Sequence, residues 1–477
     1  MGTRRSFLTG NLNEPKKRGV GNRRSFLKKA AAGAVLAASA RAQSRPPNII
    51  VIFCDDLGYG DLSSYGSSIS TPHLDRMAEE GVRFTHSYSA SPVCSPSRAA
   101  LMTGRYPNRY GIPRVIDPTD DRGIPDSEVT MAQMLKSAGY ATMCVGKWHL
   151  GCMPRFLPTN RGFDSYYGVP YSIDMYPRVL MQNTDVIEQP FDLSSLTRRY
   201  TERAVDFINR SNGSPFFLFV AHSYPHIPYT ASQPFIGNSG QGMYGDTVQE
   251  IDASTGQILQ ALKNNGIDSN TLVIFSSDHG PWYQGSTGGL RGRKGEIFEG
   301  GVRVPFIARY PGFIPGGQVS NALVSLMDIM PTAAGLTGCS APANSFDGID
   351  IRQLLSGQVN DLPREAFLYF NDMELQAARV GPWKLHVSRF NSWMFSPEPA
   401  KGRVNLPLPN PELYDVVSDL DESHDRAARN PAVVSDIRSR MNRLIQTFPS
   451  DVQSEWFGTL SRKVFYTPAG ALPVEDS

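Results

Sequence analysis

Cysteine is scarce in this chain: five in 477 residues, at positions 54, 94, 144, 152 and 339. That number and scatter exclude a disulfide framework as the source of stability. Cys54 and Cys144 lie in apolar runs and read as small buried hydrophobes, and a Cys144–Cys152 bridge after export is left open. Histidine is also scarce, with eight in all, so each one beside a strand end draws attention as a titrating group. No internal repeat or low-complexity tract is visible. The apolar run 30–38 falls well short of the ~20 residues that cross a bilayer, which argues against a stable membrane anchor.

What the N-terminus does hold is a targeting pattern. Arg23-Arg24-Ser25-Phe26-Leu27-Lys28 is a twin-arginine sequence, the apolar run follows it, and Ala40-Arg41-Ala42 is a small-x-small cleavage site. The order predicts a signal segment over 1–42, a mature start near Gln43, and delivery by twin-arginine export machinery to the periplasm or exterior. Arg4-Arg5-Ser6-Phe7-Leu8 repeats the motif without an apolar run, which leaves a downstream start codon open. Ten of the 47 basic and one of the 45 acidic residues lie in 1–42, so the remainder carries 37 and 44 and a net charge of −7. The slightly basic whole chain therefore owes its sign to the signal. A nucleic-acid partner, which needs a basic footprint, is excluded on that ground. About 435 residues exceed one simple core, and predict a large domain over 43–360 and a smaller C-terminal subdomain over 361–477.

Short β-branched and aromatic runs alternate with helical periods. Runs 48–53, 82–85, 141–145, 215–220 and 271–275 predict strands, and 73–80, 130–138 and 243–264 predict helices. The pattern is that of an α/β fold, a large and mostly parallel sheet between helices. After residue 360 the runs 367–370, 377–381, 383–387 and 412–415 predict short antiparallel strands, 432–448 a closing helix, and the Pro-rich span 397–411 a surface loop. Polar residues follow four of the first strands directly. In open α/β sheets the ligand crevice lies beyond the carboxyl ends of the strands, so those residues are expected at one site.

Asp55-Asp56 end the first run. Adjacent carboxylates repel unless a cation compensates, and a hard divalent ion prefers such oxygens. Alone, the pair reads as a solvated turn before Gly58 and Gly60. Asp278-His279-Gly280 ends the 271–275 run in the same way, and two such ends make a metal the better reading. Cys94-Ser95-Pro96-Ser97-Arg98 leads into the helical Ala99-Ala100-Leu101-Met102, and a helix start favours anions.

The segment C-x-P-x-R over 94–98, continued by Leu101-x-Thr103-Gly104-Arg105, resembles the signature of the type I sulfatases, members of the alkaline phosphatase-like superfamily. Further pieces are similar in family order over roughly 46–420. These are Pro47-Asn48-Ile49 through Gly58, Gly146-Lys147-Trp148-His149-Leu150-Gly151, Pro225-His226-Ile227-Pro228, Ser277-Asp278-His279-Gly280, and Arg291-Gly292-Arg293-Lys294-Gly295 with Glu299-Gly300-Gly301-Val302-Arg303.

The resemblance implies an alkaline phosphatase-like sheet sandwiched by helices, with a smaller α+β subdomain holding an antiparallel sheet. It implies that Cys94 is oxidised to formylglycine by a formylglycine-generating enzyme. It implies one divalent ion, Ca²⁺ with Mg²⁺ as the alternative, held by Asp55, Asp56, Asp278 and residue 94. His279 is either a further ligand through neutral imidazole or a hydrogen-bonding neighbour of the nucleophile. The substrate would be a sulfate monoester, of a small molecule or an oligosaccharide. Such an ester is anionic and leaves an alkoxide, so Arg98, Lys147, Lys294 and the metal would stabilise its charge. One hydroxyl of the aldehyde hydrate would attack sulfur. His226, with Lys294, would protonate the leaving alcohol, and His149 would take the proton of the second hydroxyl to expel sulfate.

Other residues stay ambivalent. His222 fits a supporting or a specificity role, His73 a helix start and His86 a structural one. Arg293 either meets substrate or faces solvent. Trp282 and Tyr283 either line the pocket or pack on the surface. Two alternatives compete with a sulfatase: a formylglycine-dependent phosphodiesterase or phosphonate monoester hydrolase, and a scaffold that has lost its chemistry. The segments expected to choose the substrate, about 152–190, 229–243 and 370–405, carry no readable code.

Overall fold

The computed structural model describes residues 45–211, 213–395 and 402–467. The twin-arginine segment lies outside the described residues. From Pro46 onward the chain forms one compact unit.

Its main sheet has ten strands: β1 Asn48–Cys54, β2 Val82–Tyr88, β3 Ala141–Gly146, β4 Ser165–Gly168, β5 Leu180–Gln182, β6 Asp185–Glu188, β7 Phe216–Ala221, β8 Thr271–Ser277, β9 Phe306–Arg309 and β10 Gln318–Ser325. They lie in the order β10-β2-β9-β8-β1-β7-β3-β4-β5-β6. The centre is parallel: β1 pairs in parallel with β7 and β8, and β7 with β3. β9 runs against both β8 and β2.

Every residue of β1, β7 and β8 is buried. Such strands need cover on both faces, and β1 shows how it is supplied. Ile49, Val51 and Phe53 point into one core with Leu101, Leu135 and Met330, from the helices Cys94–Thr103, Met131–Ser137 and Ile329–Thr337. Ile50, Ile52 and Cys54 point into the other with Leu74, Tyr200 and Ile258, from Pro72–Glu79, Leu196–Arg210 and Gly242–Asn264.

A second sheet holds β11 Phe367–Asn371, β12 Glu374–Val380, β13 Trp383–Phe390 and β14 Asn405–Asp415, antiparallel and in chain order. With the helices Pro431–Ile445 and Ser450–Ser461 it encloses a third core, which also takes in Tyr88, Tyr106, Val302 and Met327 from the first part of the chain. The surface loop expected over 397–411 is corrected here, because residues 405–411 are strand. β14 is the edge strand, with one side unpaired, so the missing N–H groups of Pro407, Pro409 and Pro411 can face away from the ladder.

Candidate active site

The parallel neighbours β8, β1, β7 and β3 end side by side, and the residues that follow them meet. The spacing of Cys94 and Arg98 acquires a cause. The helix Cys94–Thr103 begins at Cys94, so residues four apart share a face. Pro96 sits in its first turn, where the amide it lacks would have no helical partner. Gly104 ends the helix at φ 68°, in the left-handed region.

Six ionic groups converge at this point. Arg98 donates through Nε and Nη2 to Asp278 Oδ2 at 3.2 and 3.0 Å, and its Nη2 lies 3.4 Å from Asp55 Oδ1. Lys147 Nζ donates to Asp55 Oδ2 at 2.6 Å and to Ser172 Oγ at 3.2 Å. Lys294 Nζ bridges both oxygens of Asp56 at 2.8 Å. All six are buried. Burial alone would raise the carboxyl of Asp55, but Lys147 and its neighbouring cations outweigh it and hold the group well below its usual range. Asp278 goes the other way: burial, then the charge of Asp55, push it up to about 7.

The donor set fits a divalent cation. Ligand atoms of Asp55, Asp56, Cys94 and His279 all lie within 4.8 Å of one another. Asp278 stands at the edge of that group, its Oδ1 3.5 Å from His279 Nε2. The imidazole of His279 donates from Nδ1 to Gly280 O at 2.9 Å, which turns the Nε2 lone pair toward Asp56 Oδ1 at 3.4 Å and Cys94 Sγ at 3.3 Å. A backbone partner on the outer nitrogen is what a metal-ligating imidazole needs. Burial keeps the ring neutral, at about 4. Three carboxylates face three cationic side chains here. One divalent ion would leave the site with a surplus of positive charge, suited to an anionic ester.

The other two histidines differ in what they present. His149, at φ 61° and buried, has Nε2 3.0 Å from Ile116 O and, among the described residues, no partner on Nδ1. That carbonyl selects the tautomer with hydrogen on Nε2, leaving Nδ1 as a bare acceptor. Burial, then Lys147, hold the ring well below its ordinary pKa. His226 is anchored the opposite way: Nδ1 donates to Ile227 O at 2.7 Å, and Nε2 lies 3.7 Å from Asp56 Oδ2.

Cys94 is buried at the base of a cavity that also touches Asp56, His149, His226 and Lys294. Its thiol is pushed far above the ordinary range by burial, against the pull of Lys147 and Lys294. As an unmodified thiol it is a poor nucleophile.

Thus Asp55, Asp56, Cys94, Arg98, Lys147, His149, His226, Asp278, His279 and Lys294 all gather in one place. His222 does not line the cavity: it is buried behind β7, with Nε2 3.5 Å from Ser254 Oγ. His73 lies in the first turn of Pro72–Glu79 and His86 on β2. Arg293 stacks on Tyr283 at 4.8 Å. Trp282 lines the cavity, whereas Tyr283 is 58% exposed. Val115 also lines it, with Ser172, Asp174, Met175 and Phe395 from the segments 152–190 and 370–405 expected to choose the substrate; sequence reasoning named none of them singly, since they sit in loops with no periodicity or motif to mark them.

Comparison with known proteins agrees with this geometry. A family model described as Sulfatase matches residues 47–339. The N-acetylgalactosamine-6-sulfatase of Canis lupus familiaris is 40% identical over 417 residues, covering 80% of this chain and 78% of its own. Arylsulfatase A of Bos taurus is 40% identical over 388 residues, covering 73% of this chain and 76% of its own. The crystal structure of PsFucS1 sulfatase from Pseudoalteromonas sp. aligns with a TM-score of 0.78 at 30% identity, covering 88% of this chain and 94% of that one. On a matching sheet architecture and a family match that contains all ten converging residues, the chain belongs to the sulfatase family and is an enzyme that hydrolyses sulfate esters.

Proposed function

We propose that this sulfatase acts after twin-arginine export on sulfate monoesters of carbohydrates, with formylglycine at position 94 and one divalent ion, Ca²⁺ before Mg²⁺. The observation that carries the reading is the convergence of Cys94, Arg98, Lys147, His149, His226 and Lys294 on one cavity base. A similar protein named for action on N-acetylgalactosamine 6-sulfate supports the carbohydrate class.

Asp55, Asp56, Asp278 and His279 would hold the ion, which would add positive charge where sulfate oxygens sit. Oxidation of Cys94 would supply a hydrated aldehyde, with one hydroxyl to attack sulfur and a second to expel sulfate afterwards. The chain's own groups do the rest. Lys147 and Lys294 take the ester's negative charge in a buried site, where such contacts count for more than in water. In its doubly protonated form His226 donates the Nε2 proton to the leaving oxygen, keeping the Nδ1 hydrogen on Ile227 O. The Nδ1 lone pair of His149 accepts a proton on the other side of the reaction.

The test is maturation. Coexpression with a formylglycine-generating enzyme is expected to raise activity in proportion to the fraction of Cys94 peptide that becomes ~18 Da lighter, as thiol gives way to aldehyde. Full turnover by protein carrying only the thiol would falsify the reading.

A further inference from the structure

The cavity has two characters. Its base is ionic and buried: Asp56, Cys94, His149, His226 and Lys294. Its rim is partly exposed and mostly apolar, formed by Val115, Met175, Ile227, Trp282 and Phe395. The rings of Trp282 and Phe395 meet edge to face at 5.1 Å and are backed by Trp393, at 5.3 and 5.0 Å from them. Lys294 Nζ lies 5.7 Å from the centroid of the Trp282 ring and 5.8 Å from that of Phe395. A sulfate held by Lys294 therefore brings whatever carries it against these two faces. The cavity encloses about 130 Å³, below the roughly 300 Å³ at which pockets begin to enclose drug-sized ligands.

One rim residue is out of keeping. Asp174 is exposed, lines the cavity, and makes no hydrogen bond or ion pair among the described residues. A carboxylate accepts hydrogen bonds and donates none, and it repels a second anion. Placed above a site built to attract negative charge, it works against binding unless the substrate brings donors to it.

We propose that Trp282, Phe395 and Asp174 determine specificity. They receive a single pyranose ring that bears one sulfate and a free hydroxyl near it. The ring's C–H face lies on one of these two aromatic rings and its edge meets the other, and Asp174 accepts from the hydroxyl. A neighbouring sulfate in place of that hydroxyl is rejected by Asp174. This inference rests on the reading of the site as a carbohydrate sulfatase.

The experiment uses full-length enzyme oxidised at residue 94. It compares kcat/KM for 4-nitrophenyl sulfate, for a panel of monosulfated hexoses and N-acetylhexosamines, and for the disulfated counterpart of the best of these. D174N is expected to lose about tenfold on the monosulfated sugar, the worth of one charge-assisted hydrogen bond. It should gain on the disulfated sugar and, to a smaller extent, on nitrophenyl sulfate, an anion that brings Asp174 no donor. W282A is expected to raise KM for the monosulfated sugar more than for nitrophenyl sulfate. The proposal is overturned if D174N changes all three substrates alike or none of them. It is also overturned if the wild type cleaves nitrophenyl sulfate and no sugar of the panel. Failure of the oxidised wild type on every sulfate ester would instead overturn the proposed function, and this inference with it.

Discussion

Asp56 and His149 hold left-handed backbone, at φ 66° and 61°. Such a conformation costs a non-glycine residue of order 1–3 kcal/mol and persists where the surroundings impose it. They are imposed here: Asp56 N donates to Asp278 Oδ1 at 3.1 Å, and His149 N to Pro170 O at 3.0 Å. The two imidazoles proposed for catalysis are then told apart by their backbone partners. His226 spends Nδ1 on Ile227 O and keeps Nε2 for the site, whereas His149 spends Nε2 on Ile116 O and keeps Nδ1. General-acid help matters most for a basic leaving group. H226A should therefore harm sulfated sugars more than nitrophenyl sulfate, by up to ~10²–10⁴-fold. H149A should slow both to a common low rate and let covalently sulfated enzyme accumulate, visible by intact-protein mass spectrometry. Equal losses for H226A on both esters would show that the roles are shared. The residue types and order of these groups were legible in the sequence. The tautomers were not, because each depends on a main-chain carbonyl that only the fold brings near.

Among the elements, the four-stranded sheet does more than close the chain. The segment that carries Lys294 is gripped by it. Asn371 Nδ2 donates to Gly295 O at 3.0 Å, Trp393 Nε1 to Lys294 O at 3.1 Å and Lys384 Nζ to Ile297 O at 2.7 Å. Lys384 also pairs with Glu299 and Glu422 at 3.1 Å, all of them fully buried. Glu422 in turn accepts from Glu299 N at 2.7 Å. Removing one partner of a buried ion pair strands the others without compensation, at about 3–5 kcal/mol. K384M is expected to lower the urea midpoint accordingly and, by loosening the Ile297 anchor, to raise KM for sulfate esters. An unchanged midpoint would show the network to be dispensable. This grip was invisible in the sequence, since the sheet residues lie 76 to 99 positions from the segment they hold. The long strands that are buried throughout, β1, β7 and β8, were legible from their apolar runs. β4, β5, β6, β9 and β10 were missed, being short, or alternating too weakly to stand out.

For the whole molecule, two environmental responses follow. Burial depresses the pKa of His86 to about 3 and of His222 to about 4, and that of His386 well below its ordinary value. The unfolded chain takes up these protons near pH 6.5 while the native state refuses them. Their stabilising contribution is thus complete above about pH 6.5 and is lost as pH falls toward 4, at roughly 1 kcal/mol per histidine between pH 7.5 and 5.5. H222Q should flatten that slope in denaturation midpoints; an identical slope would place the acid sensitivity elsewhere. The second response is to metal. An ion bound only by the native state, at a hundred times its dissociation constant, adds about 2.7 kcal/mol. Chelation is expected to remove that increment from the wild type and nothing from D278A. A D55A/D278A double variant that retains stoichiometric metal would put the ion at another site.

Composition, strand periodicity and six ordered motifs determined, without any coordinates, the α/β class, the family and the residues that meet beyond the strand ends. They could do so because backbone periodicity and reactive side-chain types are written locally in the chain. Tertiary structure alone decided which carboxylate pairs with which cation, which imidazole nitrogen is free, and that Asp174 and Phe395 share a cavity with Cys94. Those outcomes depend on distances between loops remote in sequence, set by how ten strands order themselves in one sheet, and no local pattern encodes them.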